Sequence, residues 1–283
     1  MKSKLLVIEV AHGLGNRLRA LASAAAVAAA SGRILRVVWT PDIHCNCRFT
    51  DLFEDDIRQI SDSTEAITLK RRSDYYCYVD HQKTANLAFD LLECQHEILY
   101  VKSQKVLHTR RSFWNEENTF LRSLTPTTVV TKRVGAIACN SETVGVHVRE
   151  LAGQGNCSHP ADDPSLWDDV GKEQMFHWRA KTTRHAFRTR MESILELDNR
   201  QVYYVAADDP SVLTDMSKWF VGRIKHQQRS SYSRDAGALV EAMVDLYALS
   251  RCGYLLGSEW SSFTELAIRL GGMKAELAGV HFP

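Results

Sequence analysis

No stretch of the 283 residues is long and apolar enough to cross a bilayer, since a spanning helix needs about 20 consecutive apolar residues. The N-terminal run LLVIEV, residues 5–10, is interrupted by Glu9 and is too short for a signal-peptide core. Residues 20–30 are apolar, but they are mostly alanine and equally short. A cytoplasmic location without a membrane span is therefore expected. An excess of charge is missing too: 35 Lys and Arg face 34 Asp and Glu. Net charge thus supports neither a nucleic-acid coat nor a membrane-surface role, while a local basic cleft stays compatible. The seven cysteines, Cys45, Cys47, Cys77, Cys94, Cys139, Cys157 and Cys252, are odd in number and irregularly spaced. That is the pattern of reduced thiols rather than of a disulfide framework. His44-Cys45-Asn46-Cys47 resembles a metal corner but lacks a second pair at zinc-finger spacing. Internal repeats and low-complexity tails are absent as well.

What is present is an alternation of strand and helix signals, which implies an α/β chain with parallel sheets. Its length is large for one core and comfortable for two domains. Strands are read at 4–10, 34–39, 98–102, 143–149, 202–207 and 254–257, and helices at 16–30, 178–197, 235–252 and 261–270. Gly32 is placed to stop the first helix, and residues 49–53 read as a short packed turn. A boundary falls in the segment 125–140, giving an N-terminal Rossmann-like domain, 1–135, and a C-terminal one, 136–283. Ligands of such sheets bind outside the carboxyl ends of the strands, and four chemistry-bearing stretches lie there.

The first is GLGNR, residues 13–17. A glycine-rich turn that opens a helix exposes backbone N–H groups at the positive end of the helix dipole, and Gly13 and Gly15 carry no Cβ to keep a ligand away. It is no dinucleotide fingerprint, because the third glycine position holds Leu18, and the chain has no Walker loop. A plain capped turn is the structural alternative. The second stretch is VGVHVRE, residues 144–150. Alternation puts Val144, Val146 and Val148 on one face and Gly145, His147 and Arg149 on the other. The Arg149 guanidinium suits a diphosphate, since its fork bonds two oxygens at once; an ion pair with an aspartate is the alternative. The third is YVAADDP, residues 204–210, where Asp208 or Asp209 caps a helix that has Pro210 in its first turn. The fourth runs from residue 244 to 267. Asp245 sits in an apolar helix, and a buried carboxylate needs partners: a guanine base, or a cation such as Arg251 or Lys218. Ser261 and Ser262 open the next helix as caps and as an anion site, and Phe263 either packs on a base or fills the core.

Together these stretches resemble the fucosyltransferase superfamily that includes the α1,6- and protein O-fucosyltransferases. The likeness rests on GxGN near the N-terminus, a strand ending H-x-R, a strand ending D-D, and the block DLYALSRCGYLLGSEWSSFTELA. It implies a GT-B-like architecture, two Rossmann-like domains facing across a cleft. It also implies an inverting, metal-independent transfer of fucose from GDP-fucose to a glycan or protein acceptor, with no cofactor required. By resemblance Arg149 holds the β-phosphate and helps GDP leave, and His147 and Asp245 read guanine. Ser261, Ser262 and Phe263 line the diphosphate and base, Asp208 and Asp209 line the donor side, and Gly13, Gly15, Asn16 and Arg17 approach the donor from the first domain. Relatives continue the H-x-R strand with a basic residue and a Thr-Asp pair, where this chain has Glu150-Leu151-Ala152. Glu150 is thus either the catalytic base or a salt-bridge residue. Trp39 and Trp167 are acceptor candidates, because aromatic rings pack on sugar faces, or else packed core residues. Two further readings stay open: transfer from a different nucleotide-sugar donor, and an inactive nucleotide-sugar-binding module.

Overall fold

The computed structural model describes residues 3–79, 89–151 and 169–283. The chain divides into two compact units, Met1–Thr127 and Thr128–Pro283. Among the described residues no helix is long and apolar enough to cross a membrane.

The first unit contains β1 (Leu5–Val10), α1 (Leu14–Ala30), β2 (Ile34–Val38), α2 (Ser63–Arg71), β3 (Asp74–Cys77), β4 (Ile98–Ser103) and α3 (Trp114–Ser123). Its four strands are parallel in the order β2-β1-β4-β3. Leu6, Val7 and Ile8 of the inner strand β1 are fully buried, as expected of a strand covered on both faces. Residues of α1 bury a broad face of small alanines beside Leu14, Leu18 and Leu21. The helix ends at Gly32, whose φ of 62° is the left-handed conformation that stops a helix.

The second unit contains α4 (Thr128–Ile137), β5 (Val144–Val148), α5 (Asp169–Lys181), α6 (Arg184–Leu197), β6 (Tyr203–Ala207), α7 (Pro210–Trp219), β7 (Ile224–Lys225), α8 (Ala236–Leu249), β8 (Tyr254–Ser258), α9 (Ser262–Gly271) and β9 (Lys274–Ala278). All five strands are parallel, in the order β7-β6-β5-β8-β9. This is the doubly wound order, and the chain reverses direction between β5 and β8. Val144, Val146 and Val148 pack into one core with Phe187, Met191, Val212 and Met216 of α6 and α7. On the opposite face a Cβ at Gly145 would lie 3.0 Å from Leu249 and Leu255, so α8 covers that side closely.

One expectation is corrected. The single helix read at 178–197 is two helices, α5 and α6, broken at Thr182-Thr183. The Thr183 hydroxyl accepts the Ala186 N–H at 3.3 Å, an N-cap that competes with helix continuation. Residues 152–168, Trp167 among them, lie outside the described residues.

Candidate functional site

The carboxyl edge of the second sheet gathers the ends of β5, β6 and β8 and the start of α9. Ser258, the last residue of β8, ties two strands together: its hydroxyl donates to the His147 carbonyl at 3.0 Å and accepts the Arg149 N–H at 2.8 Å. Arg149 leaves β5 at this point, and its guanidinium meets Asp208 at 3.1 Å. Asp208 itself accepts the N–H groups of Glu150 and Leu151, each at 3.2 Å. The ion pair weighed as the structural alternative for Arg149 is thus present. It holds the guanidinium at the edge, where its side chain stays 23% exposed.

His147 is buried inside the strand. One ring nitrogen, Nδ1, lies 2.7 Å from the Thr264 hydroxyl, and the ring packs on Phe263 with centroids 4.8 Å apart. Burial, reinforced by the Arg149 and Arg179 charges, lowers its pKa to about 3, so the imidazole is neutral. Thr264 can approach this closely because Gly257 faces it: a Cβ there would lie 2.3 Å from the Thr264 methyl. The Ser261 hydroxyl caps α9 by accepting the Thr264 N–H, and Ser262 and Phe263 form the first turn. Just before the cap, Trp260 has φ 56°, a strained value for a residue with a side chain, of the kind that clusters at ligand sites. A strand end, a strained residue and a helix N-terminus thus meet at a topological switch point, the kind of edge at which open α/β sheets bind anions.

Two further elements brace this edge. From α5, Arg179 donates to the Arg149 carbonyl at 3.1 Å and to the Trp260 carbonyl at 3.4 Å. The fully buried Thr182 donates to the Arg149 carbonyl at 2.7 Å. From α6, Arg184 binds Glu150 through Nε at 2.8 Å, Asp215 at 2.5 Å and Asp209 at 2.9 Å. Asp209 also caps α7, accepting the Ser211 N–H at 2.8 Å. Its pKa lies below the ordinary carboxylate range: burial opposes this, but the Ser211 and Arg184 bonds outweigh burial.

Several expected roles are corrected here. Glu150 accepts from the guanidinium and the backbone N–H of Arg184, so it is the salt-bridge residue and not a base open to an acceptor. Asp245 is buried, with the Tyr204 hydroxyl at 2.6 Å and Arg229 at 3.5 Å as its protein partners, rather than Arg251 or Lys218. Burial raises its pKa, against the Arg229 charge. Arg17 is fully buried, donating to the His12 and Thr40 carbonyls, each at 2.8 Å, and pairing with Asp42; it braces the first glycine turn from within. Trp39 is 2% exposed, donates to the Cys47 carbonyl and packs edge-on against Phe49. It is a core residue, because so large an apolar ring is held inside by packing.

In the first unit, considered by itself, Gly13 caps α1 without any side-chain bond, and no acidic residue stands in the first turn. His12 precedes it at φ 64° and stacks on His44 at 5.0 Å. Burial and His44 lower the His12 pKa to about 4. Asn16 accepts from Arg19, which also reaches the Gln104 carbonyl beyond β4. Gly13, Gly15 and Asn16 thus stand at one strand end, as expected. Cys45 and Cys47 place their sulfurs 3.7 Å apart. Among the described residues no group of three or more His, Cys, Asp or Glu side chains is arranged to hold a metal ion.

Sequence reasoning missed Ser258, Arg179, Thr182 and Arg184. Ser258 stood inside the quoted block but was passed over for the Ser261-Ser262 pair. The Thr182-Thr183 pair was the available signal for a helix start, and it would have put Arg184 at a new N-terminus.

No family model and no curated relative matches the sequence. Solved structures do match in fold. Fucosyltransferase NodZ from Bradyrhizobium aligns at TM-score 0.60 and 19% identity over 94% of this chain and 92% of that one; NodZ soaked with GDP-fucose gives the same score. POFUT1 in complex with GDP-fucose aligns at 0.59 and 11% identity over 99% of both chains. A mutant of Arabidopsis thaliana FUT1 in complex with GDP aligns at 0.57 and 15% identity, over 98% of this chain and 70% of that one. With its parallel sheets and two Rossmann-like units, the chain shares the fold of these fucosyltransferases.

Proposed function

We propose that the chain is an inverting, metal-independent glycosyltransferase that moves fucose from GDP-fucose to a glycan or protein acceptor. The observation that carries the reading is Arg149. Its guanidinium stands just past the carboxyl end of β5, where Ser258 ties that end to the end of β8, in the fold of NodZ soaked with GDP-fucose and of POFUT1 in complex with it. The acceptor oxygen attacks the anomeric carbon, the bond from that carbon to the β-phosphate oxygen breaks, and GDP leaves with the bonding pair. The acceptor proton passes to a base or to water. Negative charge grows on the leaving phosphate, and preorganised donors aimed at it lower the barrier most. Arg149 and the amides of Ser262 and Phe263 are those donors, so a metal is not needed for charge neutralisation. His147, neutral and packed at a tilt on Phe263, is assigned to the base side. Asp208 holds Arg149 in place. The N-terminal domain, 1–135, is assigned to the acceptor and the C-terminal one, 136–283, to the nucleotide.

The test is turnover. The chain is incubated with GDP-fucose and a panel of glycans and glycoproteins, and both GDP release and fucosylated product are measured, with and without a chelator. The expected result is chelator-resistant transfer with inversion at the anomeric carbon, reduced about 100-fold or more by Arg149→Ala. Transfer from GDP-mannose or a UDP-sugar instead would assign a different donor. Donor binding without turnover on any acceptor would favour the inactive module.

A further inference from the structure

Arg184 is the first residue of α6, and its side chain is only 17% exposed. One guanidinium there meets three carboxylates from three places: Glu150 beyond β5, Asp209 at the cap of α7, and Asp215 within α7. Its own backbone N–H adds a further bond, to Glu150 at 2.7 Å, at the positive end of the α6 dipole. Glu150 follows Arg149 in the chain and Asp209 follows Asp208, so these carboxylates flank the Arg149–Asp208 pair directly. If they were uncompensated, this edge would carry a surplus of negative charge in a partly buried setting, where solvent screening is weak.

We propose that Arg184 is a positioning residue that keeps the carboxyl edge of β5 and β6 receptive to a nucleoside diphosphate, by neutralising Glu150, Asp209 and Asp215 beside Arg149. This rests on the reading that the Arg149 edge takes the diphosphate of the donor. It goes beyond that reading in giving Arg184 an electrostatic task. The residue touches no ligand; it withdraws three carboxylates from the field that the ligand meets. It also fixes the backbone after Arg149, through the bonds of Glu150. A brace without an electrostatic task would, when removed, loosen the whole edge and weaken every ligand alike. A charge-neutralising residue has a different signature: its loss is felt in proportion to the ligand's own negative charge.

The experiment measures binding of GDP, guanosine and inorganic pyrophosphate to the full chain by calorimetry, with thermal unfolding as a check on folding. The variants are Arg184→Met, Arg184→Lys, Glu150→Gln and the double variant Arg184→Met/Glu150→Gln. Arg184→Met is expected to weaken GDP and pyrophosphate about tenfold or more, while guanosine changes by less than about threefold. Arg184→Lys keeps most of the affinity, since it keeps the charge. The double variant regains part of the loss, because one stranded carboxylate is gone. Equal weakening of GDP and guanosine, or no recovery in the double variant, overturns the inference. If Arg184→Met does not fold, Glu150→Gln alone decides: removing a negative charge should leave GDP affinity unchanged or raised, and a loss beyond about threefold overturns the inference. Wild-type protein that binds pyrophosphate in an Arg184-dependent manner but not GDP would sink the GDP-sugar reading and leave this inference standing. Binding of neither sinks both.

Discussion

His147 carries a pH dependence whose sign follows from its burial. Its pKa in the folded chain is about 3, against an ordinary value of 6.5. The unfolded chain therefore takes up the proton first as the pH falls, and the stability contributed by neutral His147 is present in full above about 6.5 and lost progressively toward about 3. His12, lowered to about 4 by burial and His44, adds to the same loss. Denaturant midpoints should fall between pH 7 and 5, and His147→Gln should make the fall shallower. A flat profile would mean that the ring is not held as described. Trp39 makes a contrasting prediction. As a core residue it should cost about 3–5 kcal/mol of stability on replacement by alanine, with no selective effect on acceptor affinity; a raised acceptor KM in a well-folded Trp39→Phe variant would return it to the acceptor site. At this scale the sequence was legible where backbone position alone decides, as at Arg149, Ser261 and Gly13. It was not legible where a side chain's partner lies far along the chain. Asp245 was correctly read as needing a partner, but Tyr204 and Arg229 lie 41 and 16 residues away, and no spacing rule joins them.

Among the elements, the break between α5 and α6 and the contact between β8 and α9 shape the site most. The amphipathic pattern runs unbroken through residues 178–197, so periodicity alone gave one helix; a cap hydroxyl stopped it at Thr183. The consequence is functional, since a continuous helix could not bring Arg179, Thr182 and Arg184 to one edge. Thr183→Ala should cost about 1 kcal/mol, read as a lowered melting temperature, with a larger proportional loss of GDP affinity than replacement of Asp62, the cap of α2 in the first unit. On the other side, Gly257→Ala forces its Cβ against Thr264. Overpacking of this kind costs about 1–3 kcal/mol, and it should displace the threonine that His147 bonds. Retention of full stability and full GDP affinity by that variant would remove Gly257 from the account. The inner strands β1, β4, β5, β6 and β8, and the edge strand β2, were legible to within about two residues, because short apolar runs bounded by turn residues leave little freedom in where a buried strand begins and ends; the edge strands β3, β7 and β9 were not read, because they carry no such run.

At the scale of the whole molecule, two α/β units with separate parallel sheets follow from the repeated strand–helix alternation, and the order β7-β6-β5-β8-β9 puts the second unit's site at the β5/β8 reversal. Alternation announces parallel strands but not their order, which is why the reversal became visible only in the sheet. A ligand that binds only the folded chain stabilises it by mass action, so saturating GDP should raise the melting temperature, and it should do so by less in Arg149→Ala. The central claim is that this edge binds a GDP-sugar through Arg149. Calorimetric titration of GDP, GDP-fucose, GDP-mannose, UDP and NAD into wild type and Arg149→Ala tests it most directly. The account predicts binding of the guanine nucleotides alone, weakened by about 2–4 kcal/mol in the variant, as loss of a charged phosphate clamp requires. Failure of GDP to bind, or identical affinities in the two proteins, would contradict it and leave the fold without the function.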